Sequence, residues 1–307
     1  MPYRNRGAVI LAVAALLVTA VAQADPPPRV VVSILPLHGL VSGVTEGVTE
    51  PALLLTAGHS PHSYTMRPSE ARHVANADLI VWTGPGLERF LAAAIEARSD
   101  ETRIIEAIAL PDIHRRGSRD GEHWDHGQAH GHGHGEHEID YHLWLDTGNA
   151  RRIVQAVARA LAELDPGRAE TYLANARTVK GRLDTLDQDL AALLAPVRDV
   201  PYVVFHDAYQ YFEARYGLSP AGAVTVHPGQ PPGARRLREL RRLIRDLEAV
   251  CVFSEPQFEP AIVATLIRGT EARRGELDPL GIGIEPGPEA YFELMERLAE
   301  SFLECLS

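Results

Sequence analysis

The sequence predicts an α/β protein of two (β/α) lobes with mostly parallel sheets, joined by one long linking helix. Three observations carry this. Short β-branched or apolar runs alternate with amphipathic stretches through most of the 307 residues, the pattern of strands feeding crossover helices. An amphipathic run from Arg168 to about Leu194 holds Gly181 as its one helix breaker, so a helix of about 27 residues, roughly 40 Å long, can form there. After it the strand and helix alternation resumes.

In order along the chain, MPYRNR followed by GAVILAVAALLVTAVAQA reads as a charged n-region, an apolar h-region and an A-x-A cleavage site, so residues 1–24 are expected to be a signal peptide. Asp25 then begins an exported, soluble mature chain, because no later run of about 18 apolar residues appears. No cysteine follows the cleavage site, so a lipid anchor there is not expected. Residues 25–165 form the predicted N-terminal lobe. Its strands are RVVVSIL (29–35), PALLL (51–55), DLIVWTG (78–84) and TRIIEA (102–107), and its helices run from Pro68 to about Ala77 and from Leu87 to about Arg98. A His-rich loop occupies about 115–138, and YHLWL (141–145) reads as a closing strand. Apolar spacing predicts a helix from Asn149 to about Leu164 and, after Asp165-Pro166-Gly167, the linking helix over 166–195, with the lobe boundary near residue 180. Residues 196–307 form the C-terminal lobe: strands at 201–209, 219–226 and 249–255, helices from about Ala234 to Leu247 and from Pro260 to Thr270, then GELDPLGIG and a terminal helix.

Composition removes some function classes. The formal charge is −11, and loss of Arg4 and Arg6 with the leader makes the mature chain more acidic still. Nucleic acid is therefore not an expected partner, since phosphate binding needs a basic surface. Cys251 and Cys305 are an even pair in an exported chain, which favours a disulfide closing a loop of about 55 residues and pinning the terminal helix to a strand. Their spacing matches no C-x-x-C metal motif.

Fourteen histidines are the outstanding chemical feature, and seven of them fall within residues 121–146, GEHWDHGQAHGHGHGEHEIDYHLWLD. Six of these (His123, His126, His130, His132, His134, His137) sit among Gly, Asp, Glu, Gln and Ala, too little apolar surface to fold. Ordering each such residue costs about 1–2 kcal/mol, so the tract cannot preorganise one tight site, although its imidazoles can bind metal weakly and raise its local concentration. A tolerated hydrophilic insertion is the plainer alternative. Better-held histidines lie elsewhere. His59 and His62 occur in a Gly/Ser/Pro loop just after a strand, where open α/β sheets collect ligands, and Pro61 stiffens the chain before His62. His142 follows the tract among apolar neighbours, and His206 ends the apolar run PYVVFH. Asp278 sits in a Pro/Gly-bounded turn, LDPLG. Read singly, each fits an ordinary surface, core or turn residue.

Taken together, SPHSYTMRPSEARHVANADLIVWTGPGLERFL, the acidic His-rich loop, YHLWLD, VVFHDAYQYF, VFSEPQF and ELDPLG stand in an order that resembles the metal-binding receptors of bacterial zinc-uptake ABC transporters, the periplasmic zinc-binding branch of the cluster A-I solute-binding proteins. The resemblance spans essentially the whole mature chain. It implies two (β/α) lobes joined by one long helix, with metal held in the cleft between them. It also implies His62, His142 and His206 as metal ligands, and Asp278 as the carboxylate of members with a fourth protein ligand. Some members carry a glutamate where Pro61 stands, and His59 is an additional histidine. Three neutral imidazoles and a carboxylate suit tetrahedral zinc at about 2.0–2.2 Å, while manganese, which favours oxygen ligands, fits less well.

The expected function is thus a periplasmic zinc receptor that delivers Zn²⁺ to an ABC permease, with Zn²⁺ as cargo and no covalent chemistry. A monomer is expected, with a periplasmic zinc chaperone as a further partner. A manganese receptor of the same family, a secreted zinc-dependent hydrolase and a zinc-storage protein are the alternatives. The hydrolase reading lacks H-E-x-x-H, and a closed four-ligand shell leaves no water to activate. Asp207 and Glu255 are candidates for supporting the ligands, and His38, His73, His114 and His227 for none of these roles. The arginine-rich ARRLRELRRLIRD reads most simply as a solvated helix face, with docking on a membrane permease as the alternative.

Overall fold

The structure is a computed structural model that describes residues 25–56, 58–98, 101–119, 124, 139–225, 233–258 and 261–307. The predicted leader, most of the His-rich tract with its six histidines, and His227 lie outside these residues.

The first lobe begins with β1 (Val30–Val32), α1 (Leu35–Thr45), β2 (Ala52–Leu53), α2 (Pro68–Ala75), β3 (Leu79–Trp82), α3 (Arg89–Glu96) and β4 (Arg103–Glu106). Its four strands are parallel in the order β2-β1-β3-β4. A two-stranded antiparallel ribbon follows, β5 (Arg116–Gly117) with β6 (Ile139–Asp140), pairing Arg116 with Asp140. Then come α4 (Thr147–Leu164) and the long α5 (Ala169–Leu194), 26 residues with a 3-10 turn at either end. The second lobe contains β7 (Tyr202–His206), α6 (Gln210–Tyr216), β8 (Pro220–Thr225), α7 (Ala234–Asp246), β9 (Cys251–Ser254), α8 (Ala261–Ile267), β10 (Arg273–Glu276) and α9 (Ala290–Leu306). Its strands are again parallel, in the order β10-β9-β7-β8. The α/β class, parallel sheets and long helix are therefore as the sequence predicts.

Three local readings are corrected. YHLWL is not a strand: Leu143–Leu145 form a 3-10 turn, and all three side chains are fully buried. The run is apolar because it is enclosed on every side, and Asn149 Nδ2 donates to the Leu143 carbonyl at 3.2 Å, tying the turn to α4. The helix α1 has no counterpart in the sequence reading. Every one of its residues is buried, so it shows no polar face by which periodicity could reveal it. Its Gly39 lies so close to α9 that a β-carbon there would fall 2.6 Å from Tyr291 N. The strand β10, RRGE, is likewise unannounced, since its charged residues have little strand preference; it is set by pairing with β9 at the sheet edge.

A continuous apolar core runs from β1 and β3 through α1, α4 and α5 to α9 and the inner face of the second sheet. Two smaller clusters, one for each sheet, fill the other face. Cys251 of β9 and Cys305 of α9 form the expected disulfide. One buried carboxylate is structural: Glu88 accepts from Thr83 N at 2.8 Å, Gly84 N at 2.9 Å and the hydroxyls of Ser33 and Thr83. Burial raises its pKa and these donors oppose the rise.

Candidate metal centre

In both sheets the first strand in sequence is central, flanked by strands whose connections lead to opposite sides, which makes the carboxyl ends of β1 and β7 the natural places for a ligand crevice. At the carboxyl end of β7 three histidines collect from separate segments. One nitrogen from each of His62, His142 and His206 lies within 4.8 Å of the others. The ring centroids are 5.6 Å apart for His62 and His142, 5.1 Å for His62 and His206, and 4.8 Å for His142 and His206. They face a small space of about 10 Å³, the size of one water or one ion, walled by Phe258, Pro279 and Leu280.

His62 is the least buried of the three and stands in the loop between β2 and α2. That loop is held at its far end by Glu70, which accepts from the Tyr64 hydroxyl and from Arg67 N, both at 2.7 Å, while Tyr64 packs edge-on against Phe90. His142 is positioned from two directions. Asp140 Oδ1 accepts from His142 N at 2.9 Å and from His142 Nδ1 at 2.8 Å. A carboxylate acceptor fixes the proton on Nδ1 and leaves the Nε2 lone pair for a metal. The preceding Tyr141 lies against the glycines of GPG after β3: a β-carbon on Gly86 would fall 2.0 Å from Tyr141 Cε2. His206 is the last residue of β7 and is buried. Its Nδ1 stands 3.6 Å from Glu255 Oε2, and Glu255 in turn accepts from the Tyr209 hydroxyl at 3.0 Å. Burial drives the Glu255 pKa well above the usual carboxylate range, and the nearby Asp278 charge adds to this against the Tyr209 bond.

Asp278 is not brought into the group. Its Oδ1 accepts from Gln257 Nε2 at 2.7 Å and Leu280 N at 2.9 Å, and its Oδ2 accepts from Ile282 N, so the carboxylate closes its own turn. That turn still borders the centre through Pro279, whose carbonyl accepts from Trp144 Nε1 at 2.9 Å. His59 is exposed, stands against Tyr64 and the Thr56 carbonyl, and is not one of the three grouped histidines. His38 is a buried helix residue bonded to the Pro51 carbonyl, and His114 faces Asp146. Asp140 escaped the sequence reading, although its place two residues before His142 was a usable signal. Asp207 receives Arg119, which the sequence did not single out, and its carboxylate also lies within electrostatic reach of His142.

Three neutral nitrogens at this spacing suit a borderline-soft divalent ion, zinc above manganese. The family model described as "ZnuA: Zinc-uptake complex component A periplasmic" matches residues 30–305. The chain belongs to the ZnuA family. A Brucella suis protein named high-affinity zinc uptake system protein ZnuA is 41% identical over 305 residues, covering 91% of each chain. Its Yersinia pestis namesake is 35% identical over 308 residues, covering 95% of this chain and 96% of that one. A crystal structure of ZnuA superposes with a TM-score of 0.76 at 23% identity, over 92% of this chain and all of the other, a likeness of fold. Proteins of the ZnuA family are transport receptors and not enzymes.

Proposed function

We propose that this chain is a periplasmic receptor that captures Zn²⁺ between its lobes and delivers it to the permease of an ABC uptake system. The observation that carries the reading is the meeting of His62, His142 and His206, 80 and 64 residues apart in sequence, around a space for one ion. Zinc is the cargo, and the three imidazoles are its essential ligands. Asp278 serves as the fourth ligand of the loaded state, released from Gln257 when the ion enters. Residues 1–24 are the export signal, 25–165 and 196–307 the two lobes, and 166–195 the helix between them. The receptor acts as a monomer, and the His-rich tract is an accessory store and the place at which a zinc chaperone would deliver.

Zinc titration of the mature chain against a competing chelator tests this. One tight site plus weaker ions is expected, with tight uptake lost in His62→Ala, His142→Ala and His206→Ala, and weakened but kept in Asp278→Ala. Deleting residues 122–138 should remove the weak ions and slow loading while sparing the tight site. Retention of tight binding in His142→Ala and His206→Ala would remove the basis of the reading.

A further inference from the structure

The ribbon that delivers His142 is joined by sequence to the first lobe, yet its polar partners lie in the second. Arg116 N donates to the Tyr211 hydroxyl oxygen at 2.9 Å, that hydroxyl donates to the Asp140 carbonyl at 2.9 Å, and Gln210 Nε2 donates to the Gly117 carbonyl at 3.0 Å. Arg119, two residues beyond β5, completes the seam. Its Nε reaches Asp207 Oδ2 at 3.2 Å, and its Nη2 bonds both Asp207 Oδ1 and Glu213 Oε2, the latter at 2.6 Å. The other Glu213 oxygen accepts from the Tyr202 hydroxyl at 3.0 Å. Both carboxylate side chains are 3% exposed and the arginine 19%, and the Trp124 ring covers the guanidinium at 3.8 Å. A planar fork on two carboxylates under an indole is a stiff join between elements.

The two ends of this join are one step from the metal centre. Asp207 immediately follows His206, and the ribbon strand paired with β5 holds Asp140, which orients His142. We propose that Arg119 is a positioning residue of the zinc centre, fixing His206 against His142 across the lobe boundary and so slowing the escape of the ion. The proposal rests on the three-histidine reading of the site. Charge and position act in opposite directions here. A guanidinium near Zn²⁺ repels it, so removal of Arg119 would tighten binding if only its charge mattered. If it acts by position, its removal leaves Asp207 and Glu213 buried without a counter-charge, the seam loosens and zinc leaves sooner.

The test uses the full mature chain as wild type, Arg119→Lys, Arg119→Ala and Glu213→Gln, each loaded with one equivalent of Zn²⁺. Release into excess chromogenic chelator is followed by stopped flow, and the Co²⁺-loaded proteins are compared by d–d absorption. Arg119→Ala should release zinc about 10 to 100 times faster with one tight ion still bound, and its Co²⁺ bands should change. Arg119→Lys keeps the charge but loses the fork, so its rate should fall between. Unchanged or slower release from Arg119→Ala, or a wild-type rate and spectrum in Arg119→Lys, overturns the proposal. Should Arg119→Ala fail to fold, Arg119→Lys and Glu213→Gln decide, both being expected to release faster than wild type. A wild type that holds no tight ion, or a His142→Ala variant that holds it as well, is instead a failure of the site reading and not of the role of Arg119.

Discussion

Asp140 spends one oxygen on both the backbone and the ring of His142, so a single side chain sets where the imidazole stands and which nitrogen it offers. Replacing Asp140 by Asn keeps the shape and removes the acceptor charge that fixes the tautomer. Zinc affinity is expected to fall about 10- to 100-fold, with little change in melting temperature, by chelator competition and calorimetry. Glu255 beside His206 is built differently: it stands 3.6 Å away and is driven toward its neutral form by burial, so it offers a weaker orientation. The contrast between Asp278 and the histidines is also one of partners. Backbone amides and Gln257 already satisfy the aspartate in its own turn, whereas the three rings turn toward a common space.

Among the elements, the turn at Leu143–Leu145 matters more than the strand that the sequence suggests there. By folding back onto α4 it lets Trp144 reach the Pro279 carbonyl and the Tyr291 hydroxyl reach the Trp144 carbonyl, so the segment carrying His142 is bonded to the second lobe as well as to the first. The disulfide acts in the same apolar core, where Cys251, the first residue of β9, is tied to α9 across 54 residues. A loop of that length corresponds to about 4 kcal/mol of unfolded-state entropy. Reduction, or the Cys251→Ala/Cys305→Ala variant, should therefore lower stability by up to about that amount in denaturant titration. Zinc stoichiometry should stay at one tight ion, because no ligand is carried on α9.

At the scale of the whole molecule, α5 spans the lobes and Asp187 on it gathers their partners. It accepts from Thr147 Oγ1 at 2.7 Å on α4 and from Arg215 Nε at 2.8 Å on α6. Burial works to raise the Asp187 pKa, but the bonds from Arg215 and Thr147 outweigh it and the carboxyl titrates below its ordinary value. A depressed folded-state pKa means the unfolded chain binds the proton first, so this contribution is whole above about pH 4, the ordinary aspartate value, and is lost as pH falls through the lower folded value. Asp187→Asn should melt earlier than wild type at neutral pH, and the gap should close below about pH 4 in a series of melting curves. Alternation of apolar runs, the helix around Gly181 and the cysteine pair were legible, because periodicity, breakers and cysteine content are local properties, whereas His62, His142 and His206 read singly as ordinary residues and were set apart only by the resemblance of the ordered motifs to a family. What only the tertiary structure decided was how distant segments meet: α1, hidden because it is buried all round; β10, set by its neighbour; Asp278, retained by its own turn; and Arg119, whose partners lie 88 and 94 residues away. Contacts of that separation leave no periodic trace along the chain, since they depend on where two lobes place their surfaces and not on the order of residues within either.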